Sequence, residues 1–329
     1  MRTRLALLLV TAAIASGCAK ALMAPEARTG TLEARRQTVV GVEQLVSKDR
    51  IAGNLAVLAG KAPAADGRTI AERGSVEGRE QTRQYISAQL AALGYAVERA
   101  EYRKNGQNLV ARLTVEGATD TLLVGAHLDS VHNAGADDNG SGSTVVLEAA
   151  AALRELPGRK QNIIFAWFDE EELGLVGSYA MARQLQKQGQ KLTSAHTIDM
   201  IGWDSDKDKA IEIERPDGVL WDYYQMVNRT HGLNLPLKRT NSGDTDHVAF
   251  RASGFTSVGL CEEWVGGDTT PHYHSRTDTL DTIDFDYMAS SAQLLVATLG
   301  DLARGVPAPA HVKLLPHTDF PGRPRPHHH

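Results

Sequence analysis

Apolar residues along the chain follow two rhythms: short runs bounded by turn residues, and longer stretches repeating every three to four positions, the spacings of strands and helices. Leu32, Val39, Val40, Val42 and Leu45 carry the helical spacing, and Ile51, Leu55 and Leu58 continue it after a break near Lys48 and Asp49. A cleaner amphipathic helix is predicted from about Arg79 to Leu93, with Tyr85, Ile86, Leu90 and Leu93 inward and Gly94 as the stop. Three strands follow, Tyr95 to Tyr102, Asn108 to Val115 and Thr121 to Ala126. Beyond them the pattern alternates: helix Thr144 to Leu156, strand Asn162 to Phe168, and a helix opened by Asp169 to Glu172 that continues through Tyr179, Met181 and Leu185. Strands at Thr197 to Gly202, Ala210 to Glu214 and Phe255 to Leu260, and helices at Leu220 to Thr230 and Phe285 to Leu302, complete the reading. Such alternation implies an α/β fold of three layers, α/β/α, around a mixed, mostly parallel central sheet.

The 329 residues, 42% of them hydrophobic, are enough for one large α/β domain, and a formal net charge of −5 spread along the chain gives no basic face for nucleic acid. At the amino terminus Arg2 and Arg4 precede an apolar run from Leu5 to Ile14, too short to span a membrane and shaped like an export signal. The small residues Ala15, Ser16 and Gly17 before Cys18 resemble a bacterial lipobox, which implies cleavage, a lipid anchor on Cys18 and a domain held in the periplasm; an ordinary secretory signal with a chance cysteine is the alternative. With Cys18 lipidated, Cys261 is left without a disulfide partner. The expected organisation is a signal peptide at 1–17, a tether at 18–30, one domain at 31–306, and a tail at 307–329 too rich in Pro, Arg and His to pack.

Candidate chemistry gathers at the ends of the predicted strands. The strand Leu122 to Gly125 delivers His127 and Asp129, and a glycine-rich turn then presents Asp137 and Asp138 before a helix. Imidazole beside carboxylate suits zinc, and α/β folds place their chemistry at the carboxyl edge of the sheet. An Asp/Gly loop that merely caps a helix is the blander reading. The run Asp169, Glu170, Glu171, Glu172 either caps a helix by charge or sits in a cleft where a cation must neutralise it. Asp199 lies within an apolar strand pattern, where an unpartnered charge is costly. His272, Tyr273 and His274 flank one another in a Pro-bearing loop and are either site residues or solvated.

His127-x-Asp129, Asp138-x-x-Ser141-Gly142, Glu171-Glu172-x-Gly174, Asp199 and His274 together resemble, in order and neighbours, the secreted dizinc aminopeptidases of metallopeptidase family twenty-eight. The likeness runs from about Ile51 to Leu302, and Asp246-His247 and Thr277-Asp278-Thr279 also look like the family pattern. About thirty residues between Gly94 and His127 leave no room for the extra domain that some relatives carry there.

This resemblance implies a zinc exopeptidase fold and two Zn2+ ions per chain. Asp138 would bridge them, with Glu172 and His274 completing one site and His127 and Asp199 the other. Three carboxylates against two divalent cations sum to −3 + 4 = +1, a charge that a bridging hydroxide cancels. Glu171 would be the general base, an assignment resting on the ligand lying two residues before Gly174. Asp129 would receive the His127 N–H, and Tyr273 would hydrogen-bond the developing oxyanion. Asp137 is read as a support, and the peptide after the bridging Asp is often cis in the family. The implied reaction is hydrolysis of the amino-terminal peptide bond of peptides. Carboxypeptidases, single-zinc glutaminyl cyclases and ligand-depleted binding modules share the resemblance. Loops from Trp203 to Asp208 and Cys261 to Thr270, with Trp203 and Trp264, are expected to shape the pocket; neither side-chain preference nor oligomeric state is legible.

Overall fold

The computed structural model describes residues 41–131 and 133–309. The export signal, the tether, Cys18, the helical spacing before Gly41 and the tail from residue 310 lie outside the described residues. Strands β1 (Val97–Arg103), β2 (Gly106–Leu113), β3 (Thr121–His127), β4 (Asn162–Phe168), β5 (Leu192–Ile198), β6 (Ile211–Glu214), β7 (Leu237–Thr240) and β8 (Ser257–Cys261) form one sheet in the order β1-β2-β4-β3-β5-β8-β6-β7. Its centre, β4-β3-β5-β8, is parallel, as is β6-β7; the pairs β1-β2, β2-β4 and β6-β8 are antiparallel. The sheet is thus mixed, and parallel where both faces must be covered.

Strand alternation decides which face each side chain joins. Leu122, Val124 and Ala126 of β3 and Ile163, Phe165 and Trp167 of β4 enter the larger core. That core is closed by helices α1 (Lys48–Leu58), α2 (Val76–Ala92), α3 (Gly142–Arg154), α5 (Gly218–Thr230) and α7 (Phe285–Arg304). The intervening residues Leu123, Ile164, Ala166 and Phe168 meet α4 (Val176–Lys187) and α6 (His247–Ala252) on the opposite face. Phe165 and Trp167 are fully buried; removing a buried aromatic of this size costs about 3–5 kcal/mol.

Several elements differ from the sequence reading, each for a local reason. The break at Lys48 is the start of α1, where the Ser47 hydroxyl accepts the Arg50 N–H at 3.2 Å, preceded by a short 3-10 turn, Val42–Leu45. α2 starts three residues before Arg79 because Ser75 Oγ takes the Gly78 N–H at 3.0 Å. The acids Asp169 to Glu172 do not open α4: Leu175, with φ of 58°, reverses the chain first, and the helix begins at Val176. β5 stops at Ile198, so Asp199 stands just past the strand end rather than inside it. β7 and α6, at 4 and 6 residues, are too short for periodicity to reveal. Among the described residues no helix is long and apolar enough to cross a membrane.

At one edge of the larger core His231, just after α5, is gripped between Glu43 and Asp301, each at 3.0 Å. Burial opposes its charge, but hydrogen bonds to Asp301 and Glu43 prevail and raise its pKa above the ordinary 6.5. A raised histidine contributes stability in full below the unfolded value and loses it as pH rises through the folded one. His231→Gln is therefore expected to lower the melting temperature most at mildly acid pH, with the gap from wild type closing toward alkaline pH. Melting curves across pH that show a constant gap exclude the ion triad as a stabilising contact.

Candidate metal centre

The turn at 136–141 sets the site, and its residues divide by alternation. Asp137, Asn139 and Ser141 hold the chain leaving β5: Asp137 Oδ1 accepts the Gly202 N–H at 2.9 Å, and Asn139 Nδ2 donates to Ile198 O at 2.8 Å. Ser141 Oγ accepts the Ile201 N–H at 3.0 Å while donating to Asp137 O at 2.7 Å. Asp138, between them, is left to face the cluster. Its own backbone is fixed from the other side, because the carboxylate of Asp278 accepts the N–H groups of Asp137 at 2.7 Å and Asp138 at 3.1 Å. The Asp138–Asn139 peptide is cis.

Asp138 stands between two imidazoles. Its Oδ1 is 3.3 Å from His127 Nε2 and its Oδ2 is 3.2 Å from His274 Nε2. His127 Nε2 is also 3.4 Å from Asp199 Oδ1, and His274 Nε2 is 3.0 Å from Glu172 Oε2. Donor atoms of His127, Asp138 and Asp199 form one compact group, those of Asp138, Glu172 and His274 a second, and Asp138 belongs to both. Ligands about 2.0–2.1 Å from a tetrahedral ion stand about 3.3 Å apart, so the donor separations fit zinc. One buried oxygen of Glu172, Oε1, has no hydrogen-bond partner.

The electrostatics agree with a shortage of positive charge. Burial disfavours a charged His274, yet Asp138 and Glu172 raise it to about 10. Burial, then Asp138, pushes Glu172 up to about 7. Asp138 stays below the ordinary carboxylate range despite its burial because both imidazoles hold it there.

The four-acid run splits in two. Asp169 pairs with Arg79 and Arg83, each at 2.8 Å, and Glu170 with Arg79 at 3.1 Å and Arg103 at 2.7 Å. These two acids are thus neutralised by arginine cations, neither capping a helix nor needing a metal ion. Glu171 and Glu172 turn the other way. Glu171 Oε2 is 3.9 Å from His127 Nε2, and burial raises its carboxyl well above the usual range, His127 opposing this and Glu172 adding to it.

Asp129 ties the two segments together. Its Oδ1 is 3.5 Å from His127 Nδ1, and its oxygens accept the N–H groups of Glu171 at 3.1 Å and Glu172 at 3.2 Å. The Tyr273 ring lies flat on His274, with centroids 3.7 Å apart, and meets Trp264 edge-on at 4.7 Å. In this arrangement it positions the imidazole.

Arg73 was missed by sequence reading. It is fully buried, and its guanidinium donates to the carbonyls of Leu128 at 3.0 Å, Leu58 at 3.0 Å and Gly135 at 2.7 Å, as well as to Ala134. The loop from Leu128 to Asp138 is thereby wrapped around one fixed cation. No pattern near Glu72-Arg73-Gly74 marks it, since its partners are backbone atoms far along the chain. Glu262, buried beside Asp137 and accepting the Trp203 N–H at 2.8 Å, was read only as part of a loop.

Imidazoles and carboxylates gathered at the carboxyl edge of a parallel sheet, with one carboxylate common to two donor groups, define an α/β protein whose acidic and histidine groups can bind metal. A profile described as Peptidase family M28 matches residues 108–299, and the chain belongs to that family. It is 30% identical over 247 residues to leucine aminopeptidase 1 of Arthroderma otae, an overlap of 67% of this chain and 66% of the relative. The chain thus spans just under two thirds of that relative's length. The zinc aminopeptidase BSAP of Bacillus subtilis superposes with a TM-score of 0.56 at 28% identity, over 60% of this chain and 50% of that one. The LapA aminopeptidase of Legionella pneumophila shares the fold at a TM-score of 0.69 and 22% identity, over 83% and 76%.

Asp129 joins a candidate ligand to the Glu171-Glu172 turn, so its loss acts on both. Asp129→Ala is expected to weaken zinc binding about 10- to 100-fold, measured by competition with a chromogenic chelator. Unchanged zinc affinity in a folded variant excludes the positioning role.

Proposed function

We propose that the chain is a zinc-dependent aminopeptidase that binds two zinc ions and hydrolyses the amino-terminal peptide bond of peptides. The observation that carries this reading is Asp138 presenting one carboxylate oxygen to each of two imidazoles, with a further carboxylate behind each. In this reading His127 and Asp199 hold one ion, Glu172 and His274 the other, and Asp138 both. A pair of zinc ions supplies Lewis acidity, polarising the scissile carbonyl and making water a stronger acid.

The protein's part is proton handling and orientation. Glu171, whose carboxylate stands 3.9 Å from His127 Nε2 beside the candidate ligands, takes the proton of the attacking water and passes it to the leaving amine. Asp129 sets its approach by accepting the backbone N–H groups on either side of the Glu171 Cα, those of Glu171 and Glu172. The leucine aminopeptidase names of the similar proteins favour leucyl substrates cut from a free amino end.

Zinc-loaded protein is expected to contain two zinc ions per chain by elemental analysis and to cleave leucyl amides but not their acetyl-blocked counterparts. Glu171→Ala should keep the metal and lose about 100- to 10,000-fold in turnover. Wild-type turnover in that variant removes Glu171 from the mechanism, and a single zinc per chain favours the glutaminyl cyclase chemistry instead.

We also propose an envelope location with a lipid anchor at Cys18, on the strength of the charged, apolar and small-residue segments at 1–18. In a bacterial host, Cys18→Ser should move the protein from the membrane fraction to the soluble one; continued membrane attachment counts against the anchor.

A further inference from the structure

Past Gly202 the chain reads Trp203-Asp204-Ser205-Asp206-Lys207-Asp208-Lys209, with an acid at every second position. Both lysines are bonded to the 284–290 segment, with Lys207 also within electrostatic reach of Asp204 and Asp268. Lys207 Nζ is 2.6 Å from Asp284 Oδ2, and Lys209 Nζ donates to Ser290 Oγ at 3.0 Å and Asp286 O at 3.4 Å. Carboxylate oxygens of Asp204, Asp206 and Asp268 lie within 4.8 Å of one another, as do those of Asp206, Asp208 and Glu263, so Asp206 joins two trios. Lys238 pairs with Glu263. Among the described residues, no lysine, arginine or histidine nitrogen lies at ion-pair distance from any of the four aspartates.

Asp204 is the independent sign that something belongs here. The residue is only 5% exposed; its Oδ1 accepts the Lys209 N–H at 3.3 Å, and its Oδ2 is buried without a hydrogen-bond partner. A buried carboxylate that contributes an oxygen to an acidic trio and keeps one oxygen without a donor is what a cation site leaves when described by protein atoms alone.

We propose that this cluster is a second metal site, distinct from the candidate zinc centre, that binds one calcium ion through Asp204, Asp206 and Asp268, with Asp208 at its edge. Every donor is an oxygen, with no imidazole or thiolate, which selects a hard cation. Three oxygens lying within 4.8 Å of one another can all reach a single calcium ion, whose bonds are about 2.3–2.6 Å long. Magnesium demands a tighter octahedron, which acids from two separate loops supply less readily.

Asp268 is oriented for this role by the Trp203 Nε1–H at 3.1 Å, the Ser205 N–H at 2.6 Å and the Asp206 N–H at 3.3 Å. The Ser205 hydroxyl also donates to it; being exposed and free to rotate, it is the donor that the ion displaces. Calcium then ties the 203–208 loop to the 262–268 loop. Trp203 carries the effect toward the candidate zinc centre, for its ring meets His272 edge-on at 5.2 Å, two residues before His274. The ion's role is to stiffen one wall of the approach to that centre.

The test uses zinc-loaded protein and terbium as a luminescent stand-in for calcium. Trp203, hydrogen-bonded to Asp268, lies close enough to sensitise the lanthanide. Excitation of tryptophan should produce terbium emission that excess calcium abolishes and excess magnesium does not. Asp206→Asn, at an exposed position that leaves the fold intact, should weaken both ions at least tenfold. Thermal melts give a second readout: without calcium the variant, relieved of a repelling charge, melts no lower than wild type, and with calcium it melts lower. Absent calcium-displaceable emission, emission undiminished in the variant, or a melting order unmoved by calcium overturns the proposal.

Discussion

The structure depends on keeping several carboxylates ionised and close together where little water reaches. Asp138, Glu172 and Asp199 are each within 3.4 Å of an imidazole nitrogen, and the two imidazoles alone carry too little charge to balance them. Such an arrangement collapses unless the backbone bearing it is held by other means. Those means are the Asp137, Asn139 and Ser141 contacts to the strand-end segment 198–202, the Asp278 carboxylate over two backbone N–H groups, and Arg73 within its ring of carbonyls. These contacts fix the backbone through groups other than the ligand carboxylates, and this is what a metal centre requires of its surroundings.

Four acids of one run illustrate how burial and partner, rather than residue type, decide a role. Asp169 and Glu170 are taken by Arg79, Arg83 and Arg103 and anchor the sheet edge to α2 and β1. Glu171 and Glu172, one residue further, face the imidazoles. The switch occurs at Glu170, whose φ of 60° is a left-handed conformation costly for a residue with a side chain. Met200 and His274 take the same conformation, at 56° and 52°. Left-handed residues at, or within two positions of, three of the five candidate ligands mark where the fold accepts local strain to aim a side chain.

Legibility in the sequence followed the range of the interactions. His127, Asp138, Asp199 and Glu172 sit at or just beyond strand ends, and strands declare themselves through a local apolar pattern, so the site could be read from the edges of the sheet. The layered fold and the boundaries of β4 and α7 were legible for the same reason. Arg73, Arg79 and Arg83 were not, because each is defined by a partner 55 or more residues away that no local pattern announces. A buried arginine also reads, in sequence, like any solvated one. The start of α4 was misplaced because acids at a helix amino terminus and acids in a turn before a helix give the same string; only the reversal at Leu175 separates them.

Two polar clusters thus border the sheet's carboxyl edge, and their chemistry differs in a way that keeps them apart. The candidate zinc centre mixes imidazole with carboxylate and is walled by backbone donors, whereas the cluster at Asp204, Asp206 and Asp268 has oxygen alone and opens toward solvent. Borderline-soft zinc prefers nitrogen where it is offered, and a hard cation gains nothing from it. Each cluster therefore selects against the other's ion. Between them stand Trp203 edge-on to His272 and Trp264 edge-on to Tyr273, whose ring is stacked in turn on His274. Aromatic contacts, edge-on or stacked, hold ring spacing without a covalent or hydrogen bond, so a shift of either loop reaches the imidazole as a tilt rather than as a broken bond. Geometry at His274 is accordingly the part of the centre most exposed to the order of the surrounding loops, and it is the candidate ligand with the greatest solvent exposure, its side chain 30% accessible.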